Sequence, residues 1–254
     1  MTTSEMSIAF DILYNNLSSN QAPGLNEYEK SFLLTQAQLN LVQQLYSSPS
    51  PTMLSLEIDE KTRRALSQLV KTETKDVLTY DSDSLKAYDS AEETIYDNVI
   101  PLTDGDSYFF ETPERMMYIS HESVRLADDS LCNNGKFINC IPCKQDEFEK
   151  TYEDPFKGPS SKRVLRLDID NNLVEIVSAY PIDKYKVRYV MRPYPIILTD
   201  LGDDYLIDGL SEERACELDD SIQQIIVSLA AQNAKQLWIN PLDAGQAPQR
   251  GQQQ

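Results

Sequence analysis

Apolar residues recur at helical spacing near the start of the chain. Met6, Phe10, Leu13 and Leu17 fall along one face of residues 4–17, with Ser4 placed to cap that helix. The spacing predicts a longer helix over residues 26–46, NEYEKSFLLTQAQLNLVQQLY. Asn26 and Glu29 stand three apart, as a capping box requires, and Tyr28, Phe32, Ala37, Leu41 and Leu45 lie close to one face. Gln36, Gln38, Gln43 and Gln44 make most of the remainder polar but uncharged, a surface suited to packing against protein. The turn between the two helices, SSNQAPGL, is short and carries Pro and Gly, which predicts an antiparallel pair. Leu54, Leu56 and Ile58 alternate as in a short strand. Asp59 opens a third helical pattern with Thr62, Ala65, Leu66, Leu69 and Val70 on its inner side.

Residues 71–97 are acidic and weakly periodic, and are predicted to be loop with one or two short strands. From residue 98 the period changes to that of strands. NVIPL, SYFFETP and KFINCIPC are short apolar runs bounded by turn residues, the last preceded by the hairpin-type turn Asn133-Asn134-Gly135. Residues 114–118 are read as one helical turn leading into ISHESVRLA. Residues 144–154 read as a short helix, with Phe148 and Tyr152 one turn apart and Pro155 as its stop. KRVLRLDI, LVEIVS and DKYKVRYVM follow as three strands, the first two joined at Asp170-Asn171-Asn172. Ser211 is placed to cap the last helix, with Glu212 and Glu213 in its first turn and Leu218, Ile222, Ile225, Ile226 and Leu229 as its stripe. The pattern defines an α+β chain: an N-terminal antiparallel helix pair and a C-terminal helix packed with an antiparallel β-rich middle. It reads as one domain over 1–233, helical at 1–70 and 207–233 and β-rich at 95–200. A Gln-rich tail follows over 234–254.

Composition narrows what such a chain can do. Its 254 residues are 41% hydrophobic, enough for a real core, and no apolar run reaches the ~20 residues of a membrane span. The N-terminus lacks the basic region of a signal peptide. A net charge of -18 argues against wrapping nucleic acid, because phosphate contacts need Lys and Arg. Four Cys in a chain of this length suggest a reducing compartment rather than a disulfide scaffold.

Candidate chemistry is sparse. Cys140 and Cys143 have finger-like spacing, but Cys132 and His121 supply no second tight pair, and strand alternation puts Cys140 and Cys143 on opposite faces unless a bend at Pro142 intervenes. No metal site is expected. Asp168 and Asp170 lie on one side of a strand, where a cation or acid–base role is conceivable, yet a strand end entering an Asp-Asn-Asn turn explains both. There is no nucleophile elbow, P-loop or dinucleotide fingerprint, so neither catalytic residues nor a cofactor are expected.

Two groups of residues do suggest subunit contacts. Arg163, Arg166, Arg188 and Arg192 put positive charge on a strand pair within an acidic chain, and Asp203-Asp204, Asp219-Asp220 and residues 73–97 are its natural complements in a neighbouring copy, with salt bridges inside the chain as the equal alternative. Head-to-tail pairing of that kind closes into a ring when the rotation is right. Residues 234–254 lack the apolar content to fold alone, and Leu237, Trp238 and Ile239 are the adjacent bulky side chains that could anchor them on another subunit.

The stretch FDILYNNLSSNQAPGLNEYEKSFLLTQAQLNLVQ resembles the N-terminal signature of virion structural proteins of crAss-like bacteriophages. DEFEKTYEDPFKGPSSKRVLRLDI, DKYKVRYVMRPYPIIL and LSEERACELDDSIQQIIVSLAAQ resemble the same group in the same order. The order of elements is also similar to the tail-adaptor or gatekeeper proteins of short-tailed phages. The resemblance implies a structural ring protein, dodecameric, stacked below the portal and lining the DNA channel. Its partners would be itself and the adjacent ring or portal proteins, with genomic DNA passing an acidic lumen without sticking. It implies a place in the phage tail after synthesis in the host bacterial cytoplasm. Two other readings compete: a soluble acidic monomeric binding or assembly factor, and a metal-dependent enzyme using Asp168, Asp170 and His121.

Overall fold

Both long N-terminal helices begin with reciprocal caps. In α1 (Thr3–Leu17) the cap is Thr2, not Ser4: Glu5 N donates to Thr2 Oγ1 at 3.2 Å and Thr2 N donates to Glu5 Oε2 at 2.8 Å. Glu5 stands three residues after Thr2, whereas Ser4 has no carboxylate at that distance. In α2 (Glu27–Ser47) Asn26 and Glu29 form the expected box, with bonds of 2.9 and 2.8 Å. The computed structural model describes residues 1–17, 24–47, 64–89, 95–103, 105–130, 132–170, 172–202 and 205–239. Of residues 16, 17, 47, 170 and 237–239 it describes the backbone alone. The strand expected at Leu54–Ile58 and the start of the helix expected from Asp59 lie outside the described residues. Within that helix, residues 64–66 form a single turn whose Ala65 and Leu66 are buried, and Val70 already belongs to a strand.

The chain divides into two compact units, residues 1–69 with 192–254, and residues 70–191. The first is helical. Its centre is the C-terminal helix (Asp220–Ile239), against which both α1 and α2 pack. Met1 N donates to Gln223 Oε1 at 2.7 Å, so α1 starts beside the start of that helix. Against each other α1 and α2 pack less extensively than each does against that helix. The first turn of α2 meets the middle of α1: Lys30 Nζ reaches Asp11 Oδ2 at 2.8 Å and Ser7 Oγ approaches Glu27 at 3.3 Å.

One face of α2 is polar and buried. Ser31, Thr35 and Gln38, spaced three and four apart, bond the extended segment 194–198. Gln38 Nε2 donates to Tyr194 O at 2.9 Å, Ile196 N donates to Thr35 Oγ1 at 3.1 Å, and Leu198 N donates to Ser31 Oγ at 3.0 Å. The other edge of the segment pairs with Arg214 through Ile197. Gln38 therefore belongs to the core, while Phe32, placed on the apolar face by sequence, is exposed. The same pairing keeps residues 211–217 out of the C-terminal helix. That helix starts nine residues later than Ser211, at Asp220, and its cap is Asp219, whose Oδ1 accepts Ser221 N at 2.9 Å.

The second unit is a curled sheet. Its strands are β1 (Val70–Asp76), β2 (Thr79–Asp81), β3 (Lys86–Tyr88), β4 (Ile95–Tyr96), β5 (Ser107–Glu111), β6 (Met116–Leu126), β7 (Phe137–Pro142), β8 (Arg163–Asp170), β9 (Leu173–Val177) and β10 (Ile182–Met191). Seven make one sheet in the order β1-β10-β6-β7-β8-β9-β5, antiparallel except for β7 with β8. The outermost strands approach each other: Lys75 Nζ lies 3.3 Å from Glu111 Oε2, and Leu78 N donates to Phe109 O at 2.9 Å. Inside the curl, Phe110, Val124, Val164, Ile176, Tyr185 and Val187 form the core. Outside it, the short helix (Phe148–Tyr152) covers Leu165, Leu167 and Val177, and the small β2-β3-β4 sheet packs on Phe109 and Leu173.

Several local readings change. Residues 71–97, expected to be loop with one or two short strands, hold β2, β3, β4 and most of β1; β1 is an edge strand, and one neighbour suffices for an edge, so it needs little apolar content. NVIPL forms no strand, and residues 116–118 open β6 instead of closing a helical turn. The β8–β9 hairpin and the turn with Gly135 at φ +73° are found where predicted.

Candidate assembly surfaces

The four arginines do not share a strand pair. β8 and β10 are separated by β7 and β6, and Arg192 lies past the end of β10. Arg188 is exposed, with no carboxylate at ion-pair distance among the described residues. Arg192 pairs with Asp208 at 2.9 Å. Arg163 Nε donates to Gly158 O at 2.8 Å and so holds a loop. Arg166 points into the curled sheet and is 7% exposed. Its Nε lies 3.0 Å from Glu122 Oε1, and it also pairs with Asp168. The charge of Arg166 is thus used inside the chain, as the intrachain alternative has it.

Around Arg166 the interior is a polar cluster. Tyr185 donates its hydroxyl to Glu122 Oε1, and Cys140 lies alongside. Burial raises the Glu122 carboxyl above its ordinary value, with the Arg166 charge and the Tyr185 hydrogen bond opposing. Burial likewise pushes up the Cys140 thiol and the Tyr185 phenol. A concavity of about 340 Å³ opens here, lined by His121, Glu122, Asn139, Cys140 and Arg166 among others. Its charged groups pair with one another, although Arg166 Nε makes no hydrogen bond. Cys140 packs within the curl and Cys143 against Phe148 on the opposite face, as strand alternation required. Among the described residues, no group of three His, Cys, Asp or Glu side chains stands close enough to hold a metal ion.

Leu237, Trp238 and Ile239 form the last turn of the C-terminal helix by backbone. The helix thus runs six residues beyond Asn233, where the tail was expected to begin. Ala230, Ala231 and Ala234 are buried and continue the stripe set by Ile222 and Ile226, which holds those turns in place.

Sequence reasoning missed the exposed apolar side chains. Ile8 and Ile12 on α1 are 61% and 55% exposed, and Ile225 on the C-terminal helix is 41% exposed. The sequence pattern places Ile225 in the inner stripe, but the structure turns it outward. Together with Ala9, Leu13 and Val227, Ile12 and Ile225 line a groove of about 510 Å³ between the two helices. In unit 70–191, Phe156 is 84% exposed. A signal existed for the groove. In α1, Met6, Phe10 and Tyr14 already make a full buried face, so Ile8 and Ile12 were surplus to one core.

The described residues thus make up a folded chain with apolar surface on the outside and no assembled reactive constellation, the character of a part that binds other protein. Along residues 1–237 the sequence matches the model of the phage tail ring protein 3/4 family, and the chain belongs to that family. It is 38% identical over 236 residues to ring protein 3 of Bacteroides phage crAss001, covering 92% of this chain and 95% of that protein. It is also 32% identical over 255 residues to ring protein 4/5 of the same phage, covering 96% of each. It is a structural protein of the phage tail, not an enzyme. No helix among the described residues is long and apolar enough to cross a membrane.

Proposed function

We propose that copies of this chain close into a ring below the phage portal, line the DNA channel and join the neighbouring tail rings. The observation that carries this reading is similarity to two tail ring proteins over nearly the whole chain. Surface chemistry supports it. The exposed Ile8, Ile12, Ile225, Phe32 and Phe156 suit contacts between proteins, and a net charge of -18 suits a lumen past which DNA slides. The proposed ring is a dodecamer, built from one ring-protein domain over 1–233. Arg163, Arg188 and Arg192 stand at or behind its subunit contacts, and the segment from Leu237, Trp238 and Ile239 onward docks on a neighbour. The chain would be made in the host cytoplasm and carried in the virion.

Native mass spectrometry of the purified chain tests the ring. The expected result is one closed assembly of fixed copy number that disappears in Arg188→Glu while the monomer melts unchanged. An exposed charge contributes little to folding, whereas a reversed one at an interface costs several kcal/mol, on the order of a buried unpaired charge. A chain that stays monomeric at every concentration contradicts the reading.

A further inference from the structure

We propose that Phe156 of one copy seats in the groove between α1 and the C-terminal helix of the next copy, as the knob of a head-to-tail contact. The proposal rests on the ring reading and names the surfaces that meet. Phe156 is 84% exposed, yet its loop is firmly built. Asp154 Oδ1 accepts Phe156 N at 2.8 Å, and Asp154 O accepts Lys157 N at 3.1 Å and Gly158 N at 2.7 Å. Gly158 packs so tightly that a Cβ there would fall 2.5 Å from Tyr152 O. Arg163 holds the Gly158 carbonyl, and Tyr152 donates to Asp106 Oδ2 at 3.0 Å behind the loop. An aromatic ring held outward on a rigid turn gains nothing for the monomer. It meets the main requirement of a binding anchor, which is a large apolar side chain ordered before contact.

The groove has the complementary chemistry. Open to solvent and about 510 Å³ in volume, it has room to seat a ring, and Ala9, Ile12, Leu13, Ile225 and Val227 line it, with Gln224 and Ser228 as its polar groups and no charged side chain. The charge at one end of the groove suits the knob. Lys157 follows Phe156 directly, whereas Glu5 and Asp220 stand in the first turns of the two helices that flank the groove, Asp220 with 85% of its side chain exposed while it pairs with the Met1 ammonium at 3.1 Å. Each copy carries one knob and one groove, so the contact is heterologous and repeats from copy to copy.

Two surface variants test it, Phe156→Ala and Ile12→Glu, neither of which removes a buried side chain. Each is expected to weaken association between copies about 30-fold or more, the size of a hot-spot loss, with the monomer's melt unchanged. Mixed in equal amounts, they retain one intact knob and one intact groove, and pairs should form without rings. A benzophenone side chain placed at position 156 should crosslink to residues 1–17 or 220–239 of a second copy. Rings of Phe156→Ala as stable as wild type, mixtures with no more pairs than either variant alone, or crosslinks to another region would overturn the contact while leaving the ring standing. A wild-type chain that never associates removes the ring reading and this contact with it.

Discussion

Arg166 and Glu122 face each other inside the curled sheet with side chains 8% and 6% exposed, and Tyr185 completes the cluster. Removing one partner of such a pair leaves the other charged and buried. Arg166→Ala should therefore cost about 3–5 kcal/mol in denaturant unfolding; a loss below about 1 kcal/mol would mean that water reaches Glu122. The raised Glu122 carboxyl also makes a prediction about pH. The folded state keeps that proton where the unfolded chain has already lost it. Its contribution is fully present below the unfolded value of about 4.3 and is lost as pH rises through the folded value. Asp183 works in the opposite sense. Its hydrogen bond to Arg125 holds the carboxyl below its ordinary value, so its contribution is present above the unfolded Asp value and lost as pH falls through the folded one. Unfolding free energies measured from about pH 4 to 7 should show a downward slope in the wild type that Glu122→Gln removes. An unchanged slope in that variant would assign it to other groups.

Among the elements, α2 carries the most unusual burial, because its polar stripe replaces part of a sheet. Gln38 donates to the Tyr194 carbonyl at 2.9 Å, and Gln38→Leu removes that hydrogen bond. The expected cost in equilibrium denaturation is about 1 kcal/mol. A neutral result would place water at Tyr194. This stripe also explains where the sequence was legible and where it was not. The caps at Asn26, the β8–β9 hairpin, the Gly135 turn and the opposite faces of Cys140 and Cys143 depend on a few adjacent residues, and all were readable. Helix starts depended on distant partners. Ser211, Glu212 and Glu213 have the composition of a first helical turn, but the pairing of Arg214 with Ile197 claims the backbone there. The edge strand β1 was hidden because its partner β10 lies over a hundred residues away in sequence. For the candidate site, charge drew attention to Arg166, which sheet curvature turns inward. Phe156 and Ile225 carried no pattern that separates a surface anchor from a core residue.

At the scale of the whole molecule, the tail and the ring are distinct questions. The C-terminal helix runs through Ile239, so truncation must begin after it to leave the helical unit intact. Deleting residues 240–254 should leave the melting curve unchanged and weaken docking to a neighbouring ring, as read by co-sedimentation with purified tails. A collapsed melt would mean that the segment packs on its own chain. Copies of this chain are proposed to form a ring of the tail through which the genome passes. Cryo-electron microscopy of intact tails, with this chain labelled, addresses that most directly. The expected density is one complete ring of labelled subunits on the channel axis below the portal. Labelled density absent from the tail, or lying away from the channel, would contradict it.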